Sequence, residues 1–348
     1  MQQELRFATF NVLNLAPPGV RFYVDQEPYT QAQYDAKVLW IAQQLDLLDA
    51  DVIGFQEIFS QAALKDVLSK TRKYQTAHHV GIDPEAVPDF QSSVMAGTLT
   101  PSVALVSRLP LAGVSTNHTR LPHGLAVSLP GSDAPVVNFT RPILQVQVRI
   151  GEPTLIGRPS PRHHLIDVFV CHLKSKRPDY RGGLISSEHD SYQLGMAMLR
   201  SSIRRDTEAL GLRYLVSDQL RRQRSPLVVL GDFNDVAAST TVQVVTGAVS
   251  ERRSLREGPT DRLFDSYRIQ SRTRPGRDVG FTHTHDGVVE TLDHVLVSDA
   301  FESGVPGATG EVLEVVYIND HLALRRSEAT DHGLVLVRLL LHGSAIGA

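Results

Sequence analysis

Apolar runs that end in, or begin after, a polar residue recur along this chain: FATFNVLNL at 7–15, DVIGFQEIF at 51–59, HLIDVFVC at 164–171, LVVLGDFN at 227–234 and GLVLVRLL at 333–340. Runs of this length with Val and Ile read as strands buried on both faces, and the alternating ILQVQVRI at 143–150 reads as a half-buried strand. VALVSRLPL at 103–111 and the run at 291–297 add further strands of an antiparallel or mixed sheet. Tyr34, Val38, Ile41, Leu45 and Leu48 recur at steps of four and three, which predicts an amphipathic helix over 31–48 lying on a sheet by that stripe. A second helical region spans 191–223, with a break expected at Gly211 and with Arg204, Arg205, Arg221 and Arg222 on a solvated face. Residues 78–102 and 151–163, rich in Gly, Pro, Ser and His and without periodicity, read as loop and connection. A polar loop runs to about 190, and 250–280 holds two Arg-rich loops, ERRSLRE and SRTRPGRD.

The chain shows no repeat, linker or low-complexity tract, so the expectation is one α/β domain over 1–348. A formal net charge of -3 argues against holding nucleic acid mainly by bulk electrostatics, but leaves room for an enzyme that makes a few phosphate contacts. Cys171 is the one cysteine, so no intramolecular disulfide forms and no oxidising compartment is required. MQQELRFATF lacks the basic start and apolar stretch of a secretory leader, and no apolar run approaches the roughly 20 residues of a membrane span. The expected location is cytoplasmic.

The chemistry sits at the strand edges. Glu57, His172 with Lys174, Asp232 and Asn234 follow their runs, whereas Asp331 and His332 precede theirs. If neighbouring strands run antiparallel, all of these converge on one rim of the sheet. Carboxylates, carboxamides and imidazoles without a thiolate cluster suit a hard divalent cation, Mg2+ or Mn2+, and a phosphate, and exclude Cys-rich zinc. Neither G-x-S-x-G nor G-x-x-x-x-G-K-[ST] occurs, which removes the serine-hydrolase and P-loop readings. Cys171 is expected to face the core, because adjacent strand residues alternate faces.

As an ordered set, Asn11, Gln56–Glu57, His172–Lys174, GDFN at 231–234, LDH at 292–294 and Asp331–His332 resemble the motifs of the endonuclease/exonuclease/phosphatase superfamily, over Phe7 to about Leu340. That superfamily includes deoxyribonucleases, abasic-site endonucleases, neutral sphingomyelinases and inositol polyphosphate phosphatases. The resemblance implies a four-layer sandwich, two mixed β-sheets packed face to face with helices on both outer faces. It implies metal-dependent hydrolysis of a phosphate ester by in-line attack of water. Glu57 would be the main metal ligand, with Asn11 beside it and Asp331 contributing. Asp232 would orient or deprotonate the water, and Asn234 would hold the phosphate. His332, oriented by Asp293, would act as base or transition-state stabiliser, and His172 would donate to a nonbridging or leaving oxygen. Arg141, Lys174 and His283 are candidate substrate contacts, although a strand-start Arg and a rim His also have plain structural readings. Asp265 fits a scaffold carboxylate, and Glu85 stands as a candidate partner for His172.

The chain departs from the abasic-site enzymes at Leu13, where they carry Asp, and at His172, where they carry an aromatic residue. The expected activity is therefore that of a phosphodiesterase or nuclease acting on DNA or RNA, with oligomeric state open. The alternative is a hydrolase of phospholipid head groups or small phosphorylated metabolites; a non-catalytic binding module is the weakest reading.

Overall fold

Alternate residues of the first strand, β1 (Gln3–Leu15), go to opposite sides: Leu5 and Phe7 enter one buried cluster, and Ala8, Phe10 and Val12 enter another. A strand with two apolar faces needs a layer on each side, and the rest of the chain supplies them. The computed structural model describes residues 2–23, 26–87, 99–132, 134–151, 164–180, 190–247, 261–272, 280–324 and 326–342.

From β1 the chain enters α1 (Gln31–Leu48), β2 (Val52–Ile58), α2 (Gln61–Lys70), β3 (His78–Gly81) and β4 (Ser102–Ser107). There follow β5 (Leu111–Arg120), β6 (Asn138–Ile150), β7 (His164–His172), α3 (Ser191–Arg222), β8 (Leu227–Asp232) and α4 (Thr240–Thr246). The last part comprises β9 (Leu263–Asp265), α5 (Ser266–Ile269), the hairpin β10 (His283–His285) and β11 (Val288–Glu290), β12 (Asp293–Ser298), β13 (Gly310–Ile318) and β14 (Leu334–Leu341). One six-stranded sheet has the order β13-β14-β1-β2-β4-β3, the other β5-β6-β7-β8-β12-β9.

Their inner faces meet in a cluster that includes Phe7, Val52, Leu105, Val170, Leu230, Val295 and Val337. The stripe of α1 covers the outer face of the first sheet, and α3 covers the outer face of the second through Ala209, Leu212 and Val216. The expected α/β sandwich of two mixed sheets with helices around them is what the chain forms. A Thr30–Gln33 capping box starts α1, satisfying backbone donors that would otherwise be orphaned.

Several expectations need correction. The site-bearing strands are not all antiparallel neighbours: β1 pairs parallel to β2 and β7 parallel to β8, while β12 and β14 run antiparallel to β8 and β1. The common rim survives, because parallel partners bring their ends together and antiparallel partners meet an end with a start. The helix α3 runs unbroken through Gly211, where a Cβ would come 2.8 Å from Phe139 Cζ, so the glycine serves close packing of helix on strand. Arg205 is buried and held 3.3 Å from Asp235, not solvated. The stretch 78–102 contains β3, and β13, whose polar residues interrupt its apolar run, was not anticipated. Most of the 151–163 connection and of the two Arg-rich loops lies outside the described residues. Among the described residues no helix is long and apolar enough to cross a membrane.

Candidate active site

The site continues the inter-sheet core by one step of the strand period. On β8, Val228 and Leu230 point between the sheets, and two residues on so does Asp232; on β7, Val168 and Val170 are followed by His172. On β12 the order is reversed, with Asp293 preceding Val295 and Val297. From the opposite sheet, Phe7 and Thr9 lead to Asn11. The same alternation sends Cys171 outward into the α3 cluster, where burial pushes its thiol up and away from reactivity.

Across the gap, Asn11 Nδ2 donates to Asp232 Oδ2 at 3.1 Å and to Glu57 Oε1 at 3.3 Å. The amide therefore ties a carboxylate from each sheet, while its Oδ1 accepts from Leu13 N at 3.1 Å. Glu57 Oε2 accepts from Asn14 N at 3.0 Å. Backbone strain concentrates at this rim: Leu13, Asn14, Glu57 and Asn234 adopt φ of 53, 55, 62 and 53°. Non-glycine residues hold that conformation where the surroundings over-determine it, commonly at functional sites. In the GDFN turn, a Cβ at Gly231 would lie 2.0 Å from Cys171 O, so only glycine lets β8 run against β7 and deliver Asp232.

Asp232 Oδ2 lies 3.4 Å from His172 Nε2 and 3.9 Å from His332 Nε2. Its Oδ1 accepts from Asn234 N at 2.7 Å. Asp293 Oδ2 accepts from His332 Nδ1 at 2.8 Å, and Thr282 Oγ1 receives the Leu292 and Asp293 amides, fixing that carboxylate's strand. Burial, reinforced by Asp293, pushes Asp232 up to about 7. Burial pulls the other way on His332, but the Asp293 and Asp232 carboxylates outweigh it and hold the imidazole well above its ordinary value. His172 goes down, through burial and the Arg141 charge, and stays neutral.

Arg141 is buried, with Nη1 donating to Leu173 O at 3.1 Å and Nε without a partner. Asn234 Nδ2 also donates to Leu173 O, at 3.0 Å. Lys174 Nζ donates to Ser175 O and Arg177 O, so the structure aims this ammonium at its own loop. His283 lies beside His332, ring centroids 5.2 Å apart and backbones bridged. Asp331 is exposed, its Oδ1 4.0 Å from His332 Nε2. Glu85 accepts from Thr100 N and so is engaged away from His172, whose Nδ1 has no partner. Asp265 caps α5 through Tyr267 N.

Lys37 escaped the sequence reading, although it falls one step before Val38 on the buried stripe of α1. Its ammonium is buried with no hydrogen-bond partner; burial pulls it down to about 8 against the opposing charges of Glu57 and Asp331. Glu208 was missed too; this buried carboxylate of α3 accepts from the Thr140 and Lys174 amides and fixes the bases of Arg141 and the 172–177 loop. A charged residue on a helix's apolar face was the available signal for both. Orphaned polar atoms crowd the rim, among them Asp293 Oδ1, His172 Nδ1, Arg141 Nε and Asn14 Oδ1. Buried groups of this kind are rare in structures and mark a place prepared for a ligand.

Residues 8–332 match the model of the endonuclease/exonuclease/phosphatase family, and the chain belongs to that family, which hydrolyses phosphate esters. Three solved structures show the same fold. A mannosyl-6-phosphatase of Bacteroides thetaiotaomicron is 16% identical with TM-score 0.53, covering 96% of this chain and 99% of its own. The catalytic domain of human Nocturnin, with bound sulfate, is 14% identical with TM-score 0.52, covering 97% and 94%. A humanized D. rerio TDP2 is 12% identical with TM-score 0.50, covering 97% and 98%. No curated protein matches the sequence.

Proposed function

We propose that this protein is a divalent-metal-dependent phosphodiesterase that cleaves its substrate by in-line attack of water, with DNA or RNA as the preferred substrate class. The observation that carries the reading is Asp232 Oδ2, met by Asn11 Nδ2 at 3.1 Å, His172 Nε2 at 3.4 Å and His332 Nε2 at 3.9 Å. A carboxylate so surrounded can hold a water by one oxygen while both imidazoles face the same small volume.

The donor set fits a hard cation. Glu57 contributes two oxygens, each with lone pairs beyond its single hydrogen bond, and Asp331 is open to solvent. Glu57, with Asp331 and the Asn11 amide, would hold Mg2+ or Mn2+, which when bound neutralises charge on the nonbridging and leaving oxygens. Asp232, raised towards neutrality, takes a proton from the attacking water. His332, whose Nδ1–H is held by Asp293, is charged when its Nε2 is also protonated and then presents Nε2–H to the developing negative charge. Neutral His172 offers Nε2–H to a nonbridging oxygen. Arg141, with an unspent Nε–H, and the second N–H of the Asn234 amide stand beside the same phosphate position.

Lys176, linked to Glu290 at 3.0 Å, and Arg177 extend the basic loop after β7 along the rim, which favours a polyanion. The net charge of -3 supports the second reading, a small phosphorylated metabolite or lipid head group. Hydrolysis of bis-p-nitrophenyl phosphate against p-nitrophenyl phosphate with Mg2+ or Mn2+ separates diesterase from monoesterase, with Asp232→Ala and His332→Ala as blanks. Diester turnover that survives chelator or both substitutions would overturn the proposal.

A further inference from the structure

We propose that His283, Asp331 and His332 form a second cation site, selective for borderline ions of the Zn2+ class, whose occupation removes His332 from catalysis. One donor atom from each of the three residues lies within 4.8 Å of the others, a span a single ion can bridge. Two of the donors are imidazoles, which favour Zn2+, Co2+, Ni2+ and Cu2+ over Mg2+, whereas the candidate Mg2+ ligands around Glu57 are all oxygens. The fold thus places two donor sets of different chemistry beside His332, with Asp331 common to both.

The geometry is held by backbone. His283 and His332 are joined by an isolated β-bridge, and Gly333 N donates to Thr282 O at 2.6 Å, so the two backbones that carry the imidazoles cannot separate without breaking that link. Thr330 Oγ1 receives His332 N at 3.1 Å and donates to Asn11 O at 2.8 Å, and His321 Nε2 meets His332 O at 2.8 Å. Two further features point to a metal. His283 Nδ1 is buried without a hydrogen-bond partner. His332 bonds through Nδ1 to Asp293, leaving Nε2 as donor in the carboxylate–histidine arrangement that orients and strengthens metal-bound imidazoles. Asp331, with its side chain 53% exposed, leaves an entry path and room for water as a further ligand.

The other group within bridging distance, Asp232, Asp293 and His332, is buried throughout and has one imidazole; it belongs to the active site already described. An ion held by His283 and His332 displaces the Nε2 proton of His332 and takes that nitrogen's lone pair, so Zn2+ should inhibit while leaving Glu57 and Asn11 untouched, with Asp331 as the one ligand common to both sets. That consequence rests on the proposed function; the binding does not.

The test begins with chelator-treated full-length protein and Co2+ alone as a spectroscopic probe, followed by Zn2+ calorimetry. A visible Co2+ band displaced by Zn2+ is expected. His283→Ala and the milder His283→Gln should each weaken Zn2+ by at least about tenfold, since loss of even an outer partner of a ligand commonly costs that much. His285→Ala, on the same hairpin but outside the trio, should change affinity less than about twofold. Unchanged affinity in both His283 variants, or a Co2+ band abolished by Glu57→Gln and not by His283→Ala, overturns the proposal. A second arm measures Zn2+ inhibition of diester hydrolysis at saturating Mg2+. Absence of any hydrolysis counts against the proposed function and leaves the binding result readable; hydrolysis insensitive to Zn2+ despite tight binding overturns the blocking role.

Discussion

His332 Nδ1 and Asp293 Oδ2 are 2.8 Å apart, buried and 39 residues apart in sequence, at the start of two strands that belong to different sheets. The bond fixes the ring's orientation and directs Nε2 at Asp232, so one hydrogen-bonded pair joins the two sheets. Asp293→Asn preserves the shape and removes the charge; kcat for diester hydrolysis should fall on the order of 10²–10⁴-fold with little change in KM. A fall confined to KM would show that the pair serves binding.

The two histidines that face Asp232 should differ in charge. His332 is held well above its ordinary value, and His172 is depressed by burial and Arg141. Ring nitrogen chemical shifts of chelator-treated protein at pH 7 should show one imidazolium, assigned by its loss in His332→Gln, and a neutral His172. A charged His172 would remove it as a neutral donor.

Asp232 makes the metal-free protein's stability depend on pH. With a folded value near 7 against an ordinary 3.8, it keeps a proton that the unfolded chain has released, so it subtracts stability as pH rises through that window. Asp232→Asn, which mimics the protonated form, should therefore gain in Tm over the wild type as pH goes from 5 to 8 in chelator. His332 adds a loss of the same sign above 6.5, because its raised value means its contribution is complete below 6.5 and disappears as pH rises through the folded value. A Tm difference between variant and wild type that is flat with pH would contradict the protonated Asp232.

Cation binding should offset this loss. An ion at 100 times its Kd stabilises the folded state by about 2.7 kcal/mol, so Mg2+ or Mn2+ titration should raise Tm measurably. Glu57→Gln, which retains the acceptors for Asn11 and Asn14 in part, should abolish most of that rise. Persistence of the full rise in this variant would place the ion elsewhere.

Gly231→Ala tests the turn that delivers Asp232. The added methyl would meet Cys171 O at 2.0 Å, backbone that cannot rotate away, so a loss of more than about 3 kcal/mol in denaturant unfolding is expected. Gly211→Ala meets the Phe139 ring at 2.8 Å and should cost about 1–3 kcal/mol, because a side chain can give. A neutral Gly231→Ala would mean that β7 and β8 can separate there without cost.

Much of this architecture was legible locally. Apolar runs and the 31–48 stripe report burial on one or two faces, and a polar residue closing such a run reports a strand end, because side-chain period follows directly from backbone geometry. Asp232, His172 and Glu57 were singled out that way, whereas Asp293 came only from the LDH motif of the family resemblance. Gly211 was misread because a glycine reveals tolerance for a break but not the Phe139 ring that occupies its space. Arg205 was misread because its partner Asp235 is 30 residues away. What only the tertiary structure decided is which distant residues meet: Asn11 reaching Asp232 across 221 residues, the Lys37 ammonium coming within the field of Glu57, and His283 bridged to His332. Those contacts follow from strand order and from one sheet packing on another, which a one-dimensional pattern of apolar and polar positions does not encode.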